Sequence, residues 1–440
     1  MSQDIPSPTR TTPTNPKLTM MRKLLLRSYT FDANTPNGIP PRRDTGPSDH
    51  SRSSSRPIDA SQWSRSTSQP APGKDHEFQE TSDGNWTYCI NSDTTSAITG
   101  FGNVPIVTYE QISKMKDRKL RVCSITWNIN EKNAKTINHL AKKITERHEE
   151  MDSDIVFISL QEIPSTATTF HEEALSILEP VFRSHSLYLS HRAWAQMVIV
   201  FMRHQHVKYA ITPQVAFVPS GNLAKPVRTK GAIAVCLRIY QRWIVLIGCH
   251  LTHAHLKERI NDYAKIVKQL KFAPLRKFHP HGNDDCFSAD VILWTGDLNF
   301  RVTIENDVDW KTAATLDEKV YDKILENEEL MMTRGKADAF ADFMEQPIRF
   351  APTHKFEPDS DEYVIKRIPS YTDRLLYWTK KSDWVHPIKY DSLKGPCPSD
   401  HKPVFATLWI TVINKPIPEK FNSADSKSSL ITATLNGSAE

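Results

Sequence analysis

Residues 291–301 read VILWTGDLNFR, four apolar side chains running straight into Thr-Gly-Asp-Leu-Asn-Phe-Arg. Short apolar runs of this kind recur at Val122–Trp127, Ile155–Leu160, Met197–Met202, Ala232–Ile239, Trp243–Cys249, Leu375–Trp378 and Val404–Val412. Most are rich in Val and Ile and bounded by polar residues, so the pattern predicts strands, several of them buried on both faces. Helical stripes lie between some of them: Ile137, Leu140, Ala141 and Ile144, and again Ile260, Ala264, Val267 and Leu270. Ala232–Ile239 and Trp243–Cys249, joined by residues 240–242, read as an antiparallel hairpin. Mixed strand directions with helices outside predict an α/β chain built as α+β layers, not a uniformly parallel sheet.

The rest of the 440-residue chain is of different composition. Eleven of its 29 prolines and 13 serines fall in the first 85 residues. So little apolar surface cannot offset the entropy of ordering a backbone, so 1–85 reads as a disordered leader. Within it MMRKLLLR (20–27) reads either as a short membrane-surface helix or as a solvated basic stretch. Residues 86–118 form a lead-in in which Trp86, Tyr88 and Ile106 suggest partial docking; 119–412 form the globular domain, and 413–440 a flexible tail. Six cysteines without a CxxC pair argue against a disulfide framework or zinc ribbon and for a reducing compartment. No run reaches the roughly 18–20 apolar residues of a membrane span. A net charge of +5 leaves acidic partners undecided.

Chemically capable residues stand at five strand ends. They are Thr126-Trp127-Asn128, Gln161-Glu162, Cys249-His250, the Trp294–Arg301 stretch, and Ser399-Asp400-His401 just before a strand. Singly, each reads as a turn or cap. Together they form another kind of set. A hard divalent cation wants one or two carboxylates plus substrate oxygens and water, which Glu162, Asp297 and Asp400 with the Asn128 amide would frame. Asp297 and Asn299, two residues apart, share one side of extended chain, and His250 and His401 add donors. This is a set for metal-assisted phosphate chemistry.

WTGDLNFR (294–301) and RIPSYTDRLLYW (367–378) resemble the two signature motifs of the inositol polyphosphate 5-phosphatases, and TWN, QE, CHL and SDH resemble that family's accessory motifs in its chain order. The resemblance covers about 120–412. It implies the endonuclease/exonuclease/phosphatase (DNase I-like) fold, a four-layer sandwich of two mixed β-sheets flanked by helices. It also implies Mg2+ dependence and removal of the inositol 5-phosphate. Carried over by position, it makes Glu162 the main metal ligand with Asn128 beside metal and phosphate. Asp297 would activate the attacking water and Asn299 hold the phosphate. His401, oriented by Asp373, would stabilise the phosphoryl charge, with His250 donating to phosphate and Asp400 completing the cluster.

For the neighbouring 4-phosphate the resemblance implies Lys355 and Arg374. His354 stands where the family has tyrosine, and Ile365 where it has lysine, with Lys366 one residue later. Lys230 matches a phosphate-reaching lysine. The Thr-Lys-Gly form (229–231) and SYTDR look most like the type IV, phosphoinositide-directed branch. That branch's C-terminal prenylation box is absent from the last residues. The reading expects a monomeric, cytoplasmic enzyme transiently at anionic membranes, acting on phosphoinositide and not on nucleic acid. A soluble inositol polyphosphate stays open as substrate. The rivals are a nuclease of the same superfamily, an inactive phosphoinositide-binding scaffold, and a zinc site in His250-Leu251-Thr252-His253-Ala254-His255. For that last stretch, solvent-facing His253 and His255 are preferred. An apolar rim for lipid is sought between Phe170 and Trp194, where Phe182, Leu187, Tyr188, Leu189 and Trp194 read at least as well as core.

Overall fold

All eight apolar runs become strands of a computed structural model, which describes residues 118–413 apart from 222–225, 279–282, 304–317 and 365, with four short strands ahead of 118. In chain order the strands are β1 His76–Glu80, β2 Trp86–Ile90, β3 Thr99–Gly100, β4 Val104–Pro105, β5 Lys119–Asn128, β6 Ile155–Gln161, β7 His185–Ala193 and β8 Gln196–Arg203. There follow β9 Gln214–Gly221, β10 Pro226–Ile239, β11 Arg242–His250, β12 Val291–Asp297, β13 Asp373–Thr379, β14 Val385–Ser392 and β15 Val404–Thr411. Contacts divide the chain between Lys74 and Asp75, and everything described belongs to the second unit. The Met20–Arg27 segment, Ile106, Ile365 and residues 414–440 lie outside the described residues. β1 falls inside the stretch whose composition reads as disordered, and β2 begins the lead-in.

Two mixed sheets result. One runs β1-β2-β7-β8-β6-β5-β15-β14 and the other β13-β12-β11-β10-β9. β5 and β6 pair in parallel, as do β11 and β12, while the other pairs in both sheets are antiparallel. The predicted hairpin forms as β10–β11 with Ile239 opposite Arg242, so its loop is one residue shorter than expected.

Strand alternation sets the layers. Leu120 and Val122 of β5 with Ile155 and Phe157 of β6 meet Ile233, Val235 and Leu237 of β10 and Leu293 of β12 between the sheets. The intervening residues face outward. Cys123, Ile125 and Trp127 pack with the helices Ile137–Glu146 and Phe170–Leu178. Ala232, Ala234, Ile292 and Trp294 pack with the helix Leu256–Gln269. The expected stripe Ile137, Leu140, Ala141, Ile144 is buried. The second is rotated: Ala264 is exposed, while Arg259, Asp262 and Ile266 turn inward. Asp262 explains the rotation, since its carboxylate accepts from Thr252 N at 3.0 Å and Gly221 N at 3.3 Å. Among the described residues no helix is long and apolar enough to cross a membrane.

The fold gathers the site by register. Asn128 stands opposite Gln161 at the end of β5–β6, and His250 opposite Asp297, itself opposite Asp373, at the end of β11–β12–β13.

Alternation also corrects one expectation. With Asp373 facing the site, Arg374 faces away and is fully buried. Its Nε and Nη2 each donate to Glu345 at 2.7 Å, and Nη1 lies 3.1 Å from Glu328. Burial works against its charge, but the two carboxylates outweigh burial and hold its pKa well above the usual value. Arg374 is therefore spent inside the protein and does not reach a 4-phosphate. Arg374→Met is expected to cost about 3–5 kcal/mol in urea unfolding, the weight of leaving buried carboxylates unpaired. Loss of substrate affinity at unchanged stability would contradict the assignment.

Candidate active site

The β5–β6 end supplies Asn128 and, one residue past β6, Glu162. Glu162 adopts a left-handed φ of 53°, uncommon for a side chain of its kind. Flanking bonds hold it there: Glu131 N donates to Glu162 O at 2.8 Å and Ile163 N to Ala195 O at 2.9 Å. Its carboxylate remains about one-third exposed. Asn128 Nδ2 donates to Asp297 Oδ2 at 3.0 Å, while its Oδ1 accepts from Asn130 N at 3.0 Å.

The β11–β12 end supplies His250, Asp297 and Asn299. These two strands approach so closely that a Cβ at Gly296 would lie 1.9 Å from Cys249 O, and its φ of +150° suits glycine alone. Asp297 Oδ1 accepts from Asn299 N at 3.0 Å. Asn299, itself left-handed at φ 57°, donates Nδ2 to Leu251 O at 3.0 Å. His250 Nε2 lies 3.4 Å from Asp297 Oδ2 and 3.8 Å from Glu162 Oε1, so two carboxylates converge on it.

His401 joins the halves of the site. Its Nδ1 is 2.9 Å from Asp373 Oδ2, and its Nε2 is 4.0 Å from Asp297 Oδ2. Thr353 and Thr372 hydroxyls donate to the same Asp373 oxygen at 2.7 and 2.9 Å, fixing the carboxylate that fixes the ring. Burial disfavours the imidazolium; Asp373, then Asp297 and Asp400, outweigh burial and push the His401 pKa up to about 9. His401 is thus a cation at neutral pH. Burial, with Asp373 adding to it, pushes the Asp297 carboxyl up to about 6 against the pull of His401. His250 behaves oppositely: burial and then Lys230 hold its pKa well below the ordinary value, so its ring is neutral. Lys230 Nζ lies 2.5 Å from His250 Nε2. In this arrangement the lysine carries the proton and the ring accepts it, the reverse of the donor role expected for His250.

Cations rim the cleft unevenly. Lys355 Nζ pairs with Asp400 Oδ2 at 2.7 Å, and Asp400 converges with His354 and His401. His354 lies against His401 at 4.2 Å between centroids with the rings tilted by 38°, and its Nδ1 accepts from Arg301 Nη1 at 3.0 Å. Lys366 is exposed. Two cations were overlooked by sequence reasoning although both stand inside the quoted signatures. Arg301 also donates Nη2 to Asn299 Oδ1 at 2.5 Å. Exposed Arg367 lies close enough for its charge to lower the pKa values of His354 and His253.

Glu162 and Asp297 both turn carboxylate oxygens toward His250, and hard oxygens of that kind suit a divalent cation of the calcium or magnesium kind; the Asn128 amide turns its Nδ2 to Asp297 and its Oδ1 to Asn130 N. Among the described residues, the convergent groups with metal-ligating atoms are His354-Asp400-His401 and Asp297-Asp373-His401. The hydrogen bonds and ion pairs above account for both. His253 and His255 are exposed on the loop after His250 and belong to neither group.

A family model described as Endonuclease/Exonuclease/phosphatase family 2 matches residues 125–407. Inositol polyphosphate 5-phosphatase K of Mus musculus is 27% identical over 340 residues, 70% of this chain and 69% of that protein. Phosphatidylinositol polyphosphate 5-phosphatase type IV of Mus musculus is 25% identical over 67% of this chain, and the match spans only 46% of that relative. Among solved structures, the inositol polyphosphate 5-phosphatase domain of SPsynaptojanin, in complex with inositol (1,4)-bisphosphate and a calcium ion, superposes with a TM-score of 0.56 at 20% identity. It covers 74% of this chain and 94% of that one. At that identity the likeness speaks for the fold alone. With 283 residues matched by the family model, the chain belongs to the Endonuclease/Exonuclease/phosphatase family 2, and its relatives are inositol polyphosphate 5-phosphatases.

Proposed function

We propose that the chain is a magnesium-dependent phosphatase that removes the 5-phosphate from phosphoinositides such as phosphatidylinositol 4,5-bisphosphate and phosphatidylinositol 3,4,5-trisphosphate. The observation that carries the reading is the buried His401 ring held between Asp373 and Asp297, the latter also bonded to Asn299 N. A cation positioned against a carboxylate that can take a proton is what a phosphomonoester needs as its charge redistributes. Glu162 with Asn128 would hold the metal, which when bound supplies positive charge at the phosphoryl oxygens.

In the proposed reaction Asp297 orients a water and takes its proton as the water oxygen attacks phosphorus in line. The bond from phosphorus to the inositol 5-oxygen breaks and that oxygen takes a proton from solvent, giving inorganic phosphate and a free hydroxyl, while Asp297 returns the proton it took to solvent. His401 stabilises the phosphoryl charge. Lys230, Lys355 and Arg301 meet the remaining phosphate oxygens. Selection for a compact polyphosphate over a nucleic-acid duplex rests on this cluster. The enzyme is proposed to act in the cytoplasm, transiently at anionic membrane surfaces.

Lipid use is favoured over a soluble inositol polyphosphate by one residue. Of the apolar side chains considered for a rim, Phe182, Leu187, Tyr188 and Leu189 are core, but Trp194 is 38% exposed in the β7–β8 turn. It precedes Ala195, whose carbonyl holds the residue after Glu162. An exposed indole beside a polyphosphate cleft suits a membrane interface.

Purified protein with magnesium is expected to release inorganic phosphate from phosphatidylinositol 4,5-bisphosphate, leaving the 4-monophosphate. Asp297→Ala and His401→Ala should each lose about 10²–10⁴-fold in turnover. DNA nicking without phosphate release would end the reading. Turnover should fall as pH rises through about 9, where His401 gives up its proton. Asp373→Asn removes the carboxylate that favours the charged ring, so this limb should move to lower pH; an unmoved limb would contradict the role of His401. Trp194→Ala should lower turnover of vesicle-borne lipid about fivefold, the weight of roughly 1 kcal/mol of buried aromatic surface, and leave a soluble head group unaffected. Equal loss on both substrates would favour the soluble alternative.

A further inference from the structure

The amide of Asn299 works in one orientation only. Its Oδ1 faces Arg301 Nη2 at 2.5 Å and its Nδ2 faces Leu251 O at 3.0 Å. A guanidinium only donates and a carbonyl only accepts, so Arg301 and Leu251 together decide which end of the amide carries hydrogens. One Nδ2 hydrogen is used by Leu251, and the other is left for a phosphoryl oxygen. Arg301 itself needs aiming. Its side chain has many rotamers, and it reaches both Asn299 and His354 only if its main chain is held.

That hold comes from a residue far off in sequence. Glu329, the first residue of the helix Glu329–Gly335, accepts from Arg301 N through Oε2 at 2.8 Å and donates its own N to Arg301 O at 2.9 Å. The same Oε2 pairs with Arg259 Nη2 at 2.5 Å. Buried Arg259 in turn donates Nη1 to His253 O at 3.2 Å, on the loop that follows His250. One residue therefore clasps residue 301 from both sides, its carboxylate on Arg301 N and its main-chain N on Arg301 O, and the carboxylate also ties residue 301 to the neighbouring strand end through Arg259. Glu328 anchors the start of the helix independently: its carboxylate accepts from Leu330 N and Met331 N and pairs with Arg374.

We propose that Glu329 is a positioning residue for the reaction: by clasping the Arg301 main chain it aims the Arg301 guanidinium, and through it sets the polarity of the Asn299 amide. The kinetic part of this inference rests on the phosphatase reading. A displacement of a phosphate-holding amide by an ångström is enough to cost about 10²-fold in rate.

The test is a double-mutant cycle between Glu329 and Asn299, with the side-chain amide resonance of Asn299 as a readout independent of turnover. Glu329→Ala is expected to lower kcat about tenfold or more with KM within about threefold, and Glu329→Gln, which still accepts from Arg301 N, to stay within about threefold of the native enzyme. On the Asn299→Ala background Glu329→Ala should cost less than about twofold, because the group it positions is gone. A full tenfold loss on that background would overturn the proposal, since Glu329 would then act on something else. The Asn299 side-chain N–H pair, assigned by its loss in Asn299→Ala, should keep its native chemical shifts in Glu329→Gln and move to those of an unrestrained amide in Glu329→Ala. An unchanged pair in Glu329→Ala would overturn the proposal even if the native protein released no phosphate, an outcome that on its own sinks only the phosphatase reading.

Discussion

An imidazolium held out of water between carboxylates is the constraint around which this molecule is arranged. An isolated buried charge would be neutralised, so His401 keeps its proton only because Asp373 and Asp297 flank it, and Asp373 keeps its place only because Thr353 and Thr372 donate to it. The backbone is drawn into the same arrangement. The Trp127 indole donates to His401 O at 3.0 Å, Ser399 Oγ donates to Asn128 O at 2.7 Å, and both bonds cross from the β5 end to the loop before β15. The antiparallel β5–β15 pairing that brings those segments together is therefore as much a part of the site as the side chains are.

Behind the site lies a second set of charges with a different task. Glu328, Glu345 and Arg374, with Tyr390 donating to Glu345, form a buried network on the far face of β13. Asp373 and Arg374 are consecutive residues, yet one belongs to the chemistry and the other to the packing. Charges on the reactive face must stay partly unsatisfied to meet a ligand, whereas those on the other face are fully matched among themselves. Glu329, the neighbour of Glu328 in the chain, belongs to neither set: it pairs with Arg259 and bonds to residue 301, so it ties the reactive loop to the helix Leu256–Gln269.

Much of this was legible in the sequence, and the misses have identifiable causes. Strands buried on both faces announce themselves as Val- and Ile-rich runs, which is why all eight apolar runs formed strands. β7 did not announce itself: its buried residues include His185, Ser190, His191 and Arg192, on both faces, whose partners cannot be seen from the chain. β9 and β14 are edge strands whose exposed or half-buried residues weaken the apolar signal. Arg374 was assigned to the substrate by its place in a motif, although the two-residue period of a strand already sets it opposite Asp373. The signal for Arg301 was present as well, at the end of WTGDLNFR.

The sequence by itself determined the strand-end residues, Asn128, Glu162, His250, Asp297, Asn299, Asp373 and His401, together with the layered α+β character. Both depend on local pattern: hydrophobic period, breakers, and the residue types at the ends of runs. Only the tertiary structure decided how those groups share protons and which cations face the ligand. Lys230 gives its proton toward His250, Lys355 pairs with Asp400 while staying partly exposed, Arg374 is committed to Glu328 and Glu345, and Arg301 is aimed by Glu329. The reason is physical. A side chain's charge and direction are set by burial and by partners tens to hundreds of residues away, and no local pattern of residues carries that information.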